Sequence, residues 1–575
     1  MTGITKTHGE SRSREVAMYK QVYDPVAGSL GWSALVAAVP LVTLFVLLGG
    51  LRMKAQWAAL ISLAVSIVVA VAVYGMPADQ AFDSAAEGAV FGLFPIMWIV
   101  VNAIWIYNMT VESGHFAVLR RSFGAVSDDQ RIQAVIIAFS FGALMEALAG
   151  FGTPVAITSV MLIALGFRPI RAAAVSLVAN TAPVAFGAIA TPIITLAQTS
   201  GLPKTDLGAM VGRQTPFLAL IVPLILVFMV DGRRGIRQTW PAALLGGIAF
   251  AVAQFAASNY VSVELTDIIA SLVSAGAIVA LLRVWKPSEP LRAEERVTGP
   301  TGARPAIAGA GAPDRALERD VGRPGGDSRG LILAAYAPYL IIIAVFALGQ
   351  ITWLPIKDAL EGRTLTFHWP GLEVLNAKGQ EPKAVMFKFN WLSAAGTLLL
   401  ISGLLTMPVI RVGLGRALRV YAATLNQLKW AILTVAAVLA LAYVMNFSGE
   451  TITLGQWLAG AGGLFAFLSS IIGWLGVAVT GSDTSSNALF GALQVKAAQG
   501  THLSPTLMAA ANSSGGVLGK MISPQNLAIG AAAVGMAGQE GDIFRRVIGW
   551  SLLLLLVMCV IVYLQSTSLL SWMVV

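Results

Sequence analysis

The stretch Val479–Gln494 reads VTGSDTSSNALFGALQ. Upstream, Leu464 to Val479 is almost wholly apolar. Thr480, Ser482, Asp483, Thr484, Ser485, Ser486 and Asn487 then crowd around a single carboxylate before the apolar pattern resumes. Such a run is ordinary in a loop bathed by water. Its meaning here turns on whether water surrounds it.

Composition frames the answer. Of 575 residues, 57% are hydrophobic and 12% charged, against about 25% charged in soluble globular chains. Apolar runs of about 20 residues recur, each long enough to cross a hydrocarbon core of about 30 Å. Too few polar residues remain to coat a soluble protein of this size, so the chain reads as an all-α polytopic membrane protein. The single cysteine, Cys559, excludes a disulfide framework and a multi-cysteine metal site. His8, His115, His368 and His502 are scattered and make no ligand pair, so no metal and no cofactor are expected. The net charge of +9 fits a basic bias of cytoplasmic loops better than nucleic-acid binding. Residues 1–30 form a polar N-terminal segment. The first apolar run is long and lacks a small-residue cleavage site, so no removable signal is expected.

Apolar length predicts about twelve spans, near 31–51, 55–75, 88–109, 171–199, 207–230, 240–258, 267–285, 331–350, 389–410, 424–446, 505–537 and 545–567. Two further apolar stretches, near 132–166 and 457–499, are interrupted in the middle. Arg52 and Lys54, then Arg120, Arg121 and Arg131, then Arg233, Arg234 and Arg237, then Arg411, Arg416 and Arg419, and finally Arg545 and Arg546 mark cytoplasmic turns. Asp79, Asp83 and Glu87 mark an external one, and both termini then fall outside. Residues 287–330, rich in Pro, Gly, Ala and charges, read as a flexible cytoplasmic linker. Residues 351–388, with Trp353 and Trp369, read as an external loop. The linker divides the chain into a first membrane repeat, 31–286, and a second, 331–575.

The two interrupted stretches resemble each other. The first carries AGFGTP (Ala149–Pro154) and, later, ANTAPVAFGAIATP (Ala179–Pro192). The second carries TGSDTS (Thr480–Ser485) and, later, ANSSGGVLGKMISP (Ala511–Pro524). Asn180 and Asn512, Gly187 and Gly519, and Pro192 and Pro524 share one offset, 332 positions (512 − 180). Repeats of this kind define an architecture. The first stretch lies between Arg131 and Arg168, on the arginine-rich side. The second lies on the other side. The repeats are therefore expected to be inverted, each with a re-entrant hairpin, as in secondary transporters.

Non-helical backbone at membrane depth is tolerated only against protein or a water-filled cavity. Gly150, Gly152, Pro154 and Gly481 break the helices. The freed backbone groups, with Thr153, Ser482, Thr484, Ser485 and Asn487, can then meet a solute. The Asn180-Thr181 and Asn512-Ser513 pairs mark the later breaks. Helix N-termini at such breaks suit an anion. The plainer reading is that Gly and small hydroxyls only let helices pack closely. Three charges remain inside apolar runs: Glu146, Asp483 and Lys520. Such residues are expensive and functional by default. Asp483 and then Glu146 are the proton-carrier candidates, because desolvation disfavours a bare carboxylate. Lys520 is expected to set the local field.

FGALMEALAGFGTPVAI (141–157), NTAPVAFGA (180–188), TGSDTSSNALFGALQ (480–494) and ANSSGGVLGKMISPQNLAIG (511–530) closely resemble the bacterial lactate permease family. The resemblance implies proton-coupled uptake of L-lactate, D-lactate and glycolate through the inner membrane. By motif it implies site positions Glu146, Gly150, Phe151, Gly152, Thr153, Asn180, Thr480, Gly481, Ser482, Asp483, Thr484, Ser485, Ser486, Asn487, Asn512, Ser513, Ser514, Lys520 and Ser523. A membrane enzyme would need a nucleophile–base pair or metal cluster at depth, and the polar clusters are hydroxyl- and amide-rich instead. Sodium coupling, or another small carboxylate as substrate, is the alternative within transporters.

Overall fold

The structure, a computed structural model, describes residues 18–124, 126–150, 152–291, 327–350 and 356–575. Most of the expected linker (292–326), the start of the expected external loop (351–355) and Phe151 lie outside the described residues. The first part of the chain forms α1 (Leu30–Gly50), α2 (Ala55–Ala72), α3 (Ala78–Glu112) and α4 (Gln130–Ala149). Then come α5 (Thr153–Ala164), α6 (Pro169–Ala179), α7 (Val184–Ser200), α8 (Thr215–Tyr260) and α9 (Thr266–Val284). The second part forms α10 (Arg329–Gln350), α11 (Ala395–Val409), α12 (Leu414–Ser448) and α13 (Glu450–Thr480). It closes with α14 (Asp483–Thr501), α15 (Pro505–Gly519), α16 (Pro524–Ala533) and α17 (Glu540–Gln565). Among the described residues ten helical segments are long and apolar enough to cross a membrane, or eleven if the α6–α7 pair, bent by 66°, counts as one.

The breaks follow from backbone chemistry. Asp231 and Gly232 leave the helical region inside α8, with Gly232 at φ +60°. The chain doubles back there, because a Cβ on Gly247 would lie 2.9 Å from the Leu220 carbonyl oxygen. Both apolar arms expected at 207–230 and 240–258 are therefore present, as two helices packed side by side and joined at Asp231–Gly232. α4 and α5 form a hairpin about Gly150, with the Gly142 backbone against Thr158. The last part of α13 (Phe465–Thr480) and α14 form another about Gly481, closed by the Ser486 hydroxyl donating to the Gly473 carbonyl at 3.2 Å. The expected single spans at 171–199 and 505–537 are each a pair of helices, interrupted before Gly187 and at Lys520–Ser523; the second interruption is not at Asn512-Ser513, which lie inside α15, but just after Gly519.

Three expectations need correction. The chain is not purely helical: β1 (Tyr19–Lys20) pairs in parallel with β3 (Val374–Leu375), and β2 (Leu365–His368) pairs antiparallel with β4 (Met386–Phe389). The N-terminal segment is thereby stitched to the 365–389 cap. The Tyr19 hydroxyl also donates to the Ser448 carbonyl at 2.8 Å, at the end of α12. Glu87 is not in a loop. α3 starts ten residues before the expected span, at Ala78, and Glu87 is fully buried within it. Arg131 is likewise not a solvated loop charge. It is buried and donates to Asp129, Asp231, Gln238 and the Glu289 carbonyl, anchoring the foot of α4.

Glycine sets the closest packing. A Cβ on Gly473 would sit 1.9 Å from the Asn512 carbonyl oxygen, and one on Gly515 would sit 2.2 Å from that of Ser470. α13 and α15 therefore touch backbone to backbone, which small residues alone permit. Gly473→Ala should destabilise the detergent-solubilised protein by about 1–3 kcal/mol through overpacking, read as a fall in Tm. Gly460→Ala, where a Cβ meets nothing within 4 Å, should leave Tm near wild type. Equal Tm values for the two variants would contradict this packing.

Candidate functional site

The site is built on two breaks and a helix start that lies between them. At the first break Gly150 (φ +47°) and Gly152 (φ +80°) reverse the chain, and the Thr153 amide donates to the Gly150 carbonyl at 3.0 Å. Gly152 caps α5, with Pro154 in the first turn, where its missing N–H costs nothing. At the second break Gly481 (φ +75°) ends α13 in the left-handed conformation that glycine adopts freely. Ser482 is extended and caps α14, its hydroxyl accepting from the Ser485 amide at 3.3 Å.

α16 begins where these breaks meet. Ser523 caps it, followed by Pro524. Asn526, three residues on and buried, donates through Nδ2 to the Gly481 carbonyl at 3.4 Å and to the Ser523 hydroxyl at 2.8 Å. A Cβ on Gly152 would lie 3.2 Å from Asn526 Oδ1, and one on Gly481 would lie 2.6 Å from Gln525 Oε1. One amide side chain thus touches both breaks. Three helix N-termini (α5, α14 and α16) gather around it, each bringing the partial positive charge of a helix start.

The charges sit beside this junction. Lys520 Nζ donates to Glu146 Oε1 at 2.5 Å, both side chains being buried. Lys520 is thus the partner of one carboxylate as well as a source of positive field. The pair is also tight against Gly187, where a Cβ would meet Glu146 Oε1 at 2.7 Å. Glu146 Oε2 has no hydrogen-bond partner among the described residues. Asp483 stands apart from that pair. Its Oδ2 accepts from the Ser513 hydroxyl at 2.6 Å and from Asn487 Nδ2 at 3.3 Å. Its Oδ1 has no partner among the described residues and faces Gly516, where a Cβ would come within 2.3 Å. Asn487 also donates to the Pro192 carbonyl at 3.2 Å and accepts from Asn512 at 2.9 Å. Asn512 in turn accepts from Gln494 at 3.1 Å, and Gln494 from Ser469 at 2.8 Å.

The sequence candidates are therefore sorted by the fold. Asp483, Asn487, Asn512 and Ser513 form one connected network. Gly152, Gly481 and Ser523 meet at Asn526. Glu146 and Lys520 pair. Thr484 and Ser485 are buried in the first turn of α14. Ser486 is spent on the hairpin, and the Thr181 hydroxyl donates back to Val178 at 2.7 Å. Neither polar atom of the buried Asn180 side chain, nor the Ser514 hydroxyl, has a partner among the described residues. Two residues were missed by sequence reasoning, Asn526 and Gln494. The Ser-Pro-x-Asn run at 523–526 carries the signal for the first: a capping Ser, Pro at the first helical position, and a polar residue one turn in.

Residues 33–569 match the L-lactate permease family. The chain is 44% identical to the glycolate permease GlcA of Escherichia coli, covering 95% of this chain and 98% of that one. It is 42% identical to the L-lactate permease of Bacillus subtilis, covering 97% and 100%. Among solved structures it is similar to Neisseria gonorrhoeae MtrF at 14% identity, over 85% of this chain and 84% of that chain, with a TM-score of 0.44. The chain belongs to the L-lactate permease family, multi-pass transport proteins of the bacterial inner membrane.

Proposed function

We propose that this protein imports L-lactate, together with D-lactate and glycolate, by proton symport. The observation that carries this reading is the meeting of three helix N-termini with Lys520 and two carboxyl groups, Glu146 and Asp483, in a buried place. Helix N-termini suit an anion, and hydroxyl and amide groups suit the 2-hydroxyl of the substrate. The names of the lactate and glycolate permeases to which the chain is similar support the substrate class. In this reading the α4–α5 and α13–α14 hairpins are re-entrant, and they enter from opposite faces. The halves 31–286 and 331–575 are inverted repeats with about twelve crossings, joined by a cytoplasmic linker at 287–330. Their matched breaks and the common offset of 332 positions support it.

Energetics explains why a proton is needed. A negative-inside potential opposes entry of the lactate anion by about 2.3 kcal/mol per 100 mV. Carrying one proton with it cancels that charge. Two carboxylates in one desolvated site repel, so bound lactate favours the neutral form of a nearby acid. Proton and lactate then bind with mutual preference, the linkage that symport requires. Asp483 carries the proton in this scheme, because one oxygen is held by Ser513 and Asn487, both neutral, while the other has no partner among the described residues. Glu146 is committed to Lys520.

Two measurements test this. In proteoliposomes, labelled L-lactate should accumulate under an imposed pH gradient, acidic outside, and an equal sodium gradient should drive nothing. Uptake should rise as external pH falls. Asp483→Asn should abolish that accumulation; wild-type accumulation by the variant would transfer the proton to Glu146. Separately, Asn526→Ala should weaken lactate binding by about 1–3 kcal/mol, the cost of leaving a buried polar group unpaired. Unchanged affinity would remove the α16 start from the site.

A further inference from the structure

The end of α9 and the start of α10 stand at one face of the molecule. Beyond α9, the Leu291 amide donates to Asp129 Oδ2 at 3.1 Å, and the Leu291 carbonyl accepts from the Gln130 amide at 2.9 Å. Just before α10, Asp327 accepts two bonds from Arg121, each of 2.9 Å. Both flanks of the 292–326 stretch are therefore fastened to the segment 121–130 that leads into α4.

The two helices then pack on different neighbours. α9 lies against α8 and α4, and α10 lies against α11 and the helix His115–Gly124. Between them a groove of about 440 Å³ is left. Leu272 of α9 lines it together with Arg329, Ile332, Leu333, Tyr336 and Leu340 of α10. On α10 these are positions i, i+3, i+4, i+7 and i+11, one stripe of a helix. Leu333 is 64% exposed and Leu340 48% exposed, so hydrocarbon of the bilayer reaches the groove. Tyr336 is fixed by a 3.1 Å hydrogen bond between its hydroxyl and that of Ser122.

Arg329 closes one end of this apolar stripe. It is exposed, and its guanidinium has no hydrogen-bond or ion-pair partner among the described residues. No acidic side chain lines the groove. The acid nearest in sequence, Asp327, is held by Arg121. Arg283 and Lys286, beside the end of α9, add exposed basic charge at the same face.

We propose that this groove holds one anionic phospholipid, with its phosphate on Arg329 and an acyl chain along the stripe to Leu340. The dimensions agree. The eleven positions from Arg329 to Leu340 (340 − 329) span about 16 Å of helix. That is close to one leaflet, half of a hydrocarbon core of about 30 Å. A guanidinium forks onto phosphate oxygens. A zwitterionic headgroup would bring an ammonium that meets no carboxylate in the groove. A second copy of the chain seated here would have to desolvate Arg329, whereas a headgroup leaves the guanidinium at the wet interface while its stem lies on hydrocarbon. The lipid would bridge the last helix before the linker and the first helix after it.

The test uses the full-length protein in detergent, with lipid retention read by native mass spectrometry and stability by Tm. Dioleoyl phosphatidylglycerol should be retained and should raise Tm. Dioleoyl phosphatidylcholine and soluble glycerol phosphate should do neither. Arg329→Gln should weaken phosphatidylglycerol retention by about fivefold, one basic side chain's share of the attraction to anionic lipid. Leu340→Trp, which fills the groove and keeps the guanidinium, should weaken it too. Arg416→Gln, an exposed arginine outside the groove, should retain the lipid as wild type does. Tm of each variant without lipid reports folding. Equal retention of the two lipids by wild type, or phosphatidylglycerol retention unchanged in Arg329→Gln, would overturn the proposal. A Tm rise with glycerol phosphate as large as with the lipid would make this a site for a soluble phosphate and overturn it. A dimer that Leu340→Trp disrupts without lipid present would assign the face to a second copy instead. None of these outcomes bears on the coupling of lactate to protons.

Discussion

The buried ion pair between Lys520 and Glu146 is the contact on which the junction depends. Each charge alone would be intolerable in a water-poor interior, and removing one member of such a pair typically costs about 3–5 kcal/mol. The pair spans 374 positions of chain and ties the α4 end of the first hairpin to the turn between α15 and α16. Gly187 must be glycine for the carboxylate to reach that place. Once the pair is set, α16 starts beside both breaks, and Asn526 can reach Gly481 while lying against Gly152. The same pairing leaves Asp483 outside the charge pair, held only by neutral donors. Two carboxyl groups in one neighbourhood thus have different surroundings, one locked by a cation and one held by neutral donors alone.

The sequence made the helical membrane character and the breaks legible, because these depend on local properties. Apolar run length reports a span, and Gly150, Gly152 and Gly481 report where a helix cannot continue. The repeat offset located the paired breaks without any structure. What it could not convey was burial that depends on partners distant in the chain. Glu87 sits in ADQAFDSAAEGAV, a run too polar on average to read as a span. It was read as a loop because the face that α12 covers is invisible to a hydropathy window. Arg131 looked like a solvated marker of the cytoplasmic side because Asp129, Asp231 and the Glu289 carbonyl converge on it only in three dimensions. Asn526 was passed over for a related reason. Its role comes from touching two hairpins that lie 329 positions apart in sequence (481 − 152). The strands at 365–389 and at Tyr19 escaped because two- and four-residue strands carry almost no periodic signal.

The backbone contact of α13 with α15 has a mechanical consequence. Helices separated by side chains slide past one another by exchanging rotamers. Where Gly473, Gly515 and Gly519 place carbonyl oxygens directly against the neighbouring backbone, there are no rotamers to exchange, and a shift of one helix must carry the other. The α13–α14 hairpin and the α15 helix accordingly form a single rigid lever with Asp483, Asn487, Asn512 and Ser513 embedded in it. Slip is left to surfaces lined by longer side chains, and the Lys520–Glu146 contact lies at one end of that packed unit.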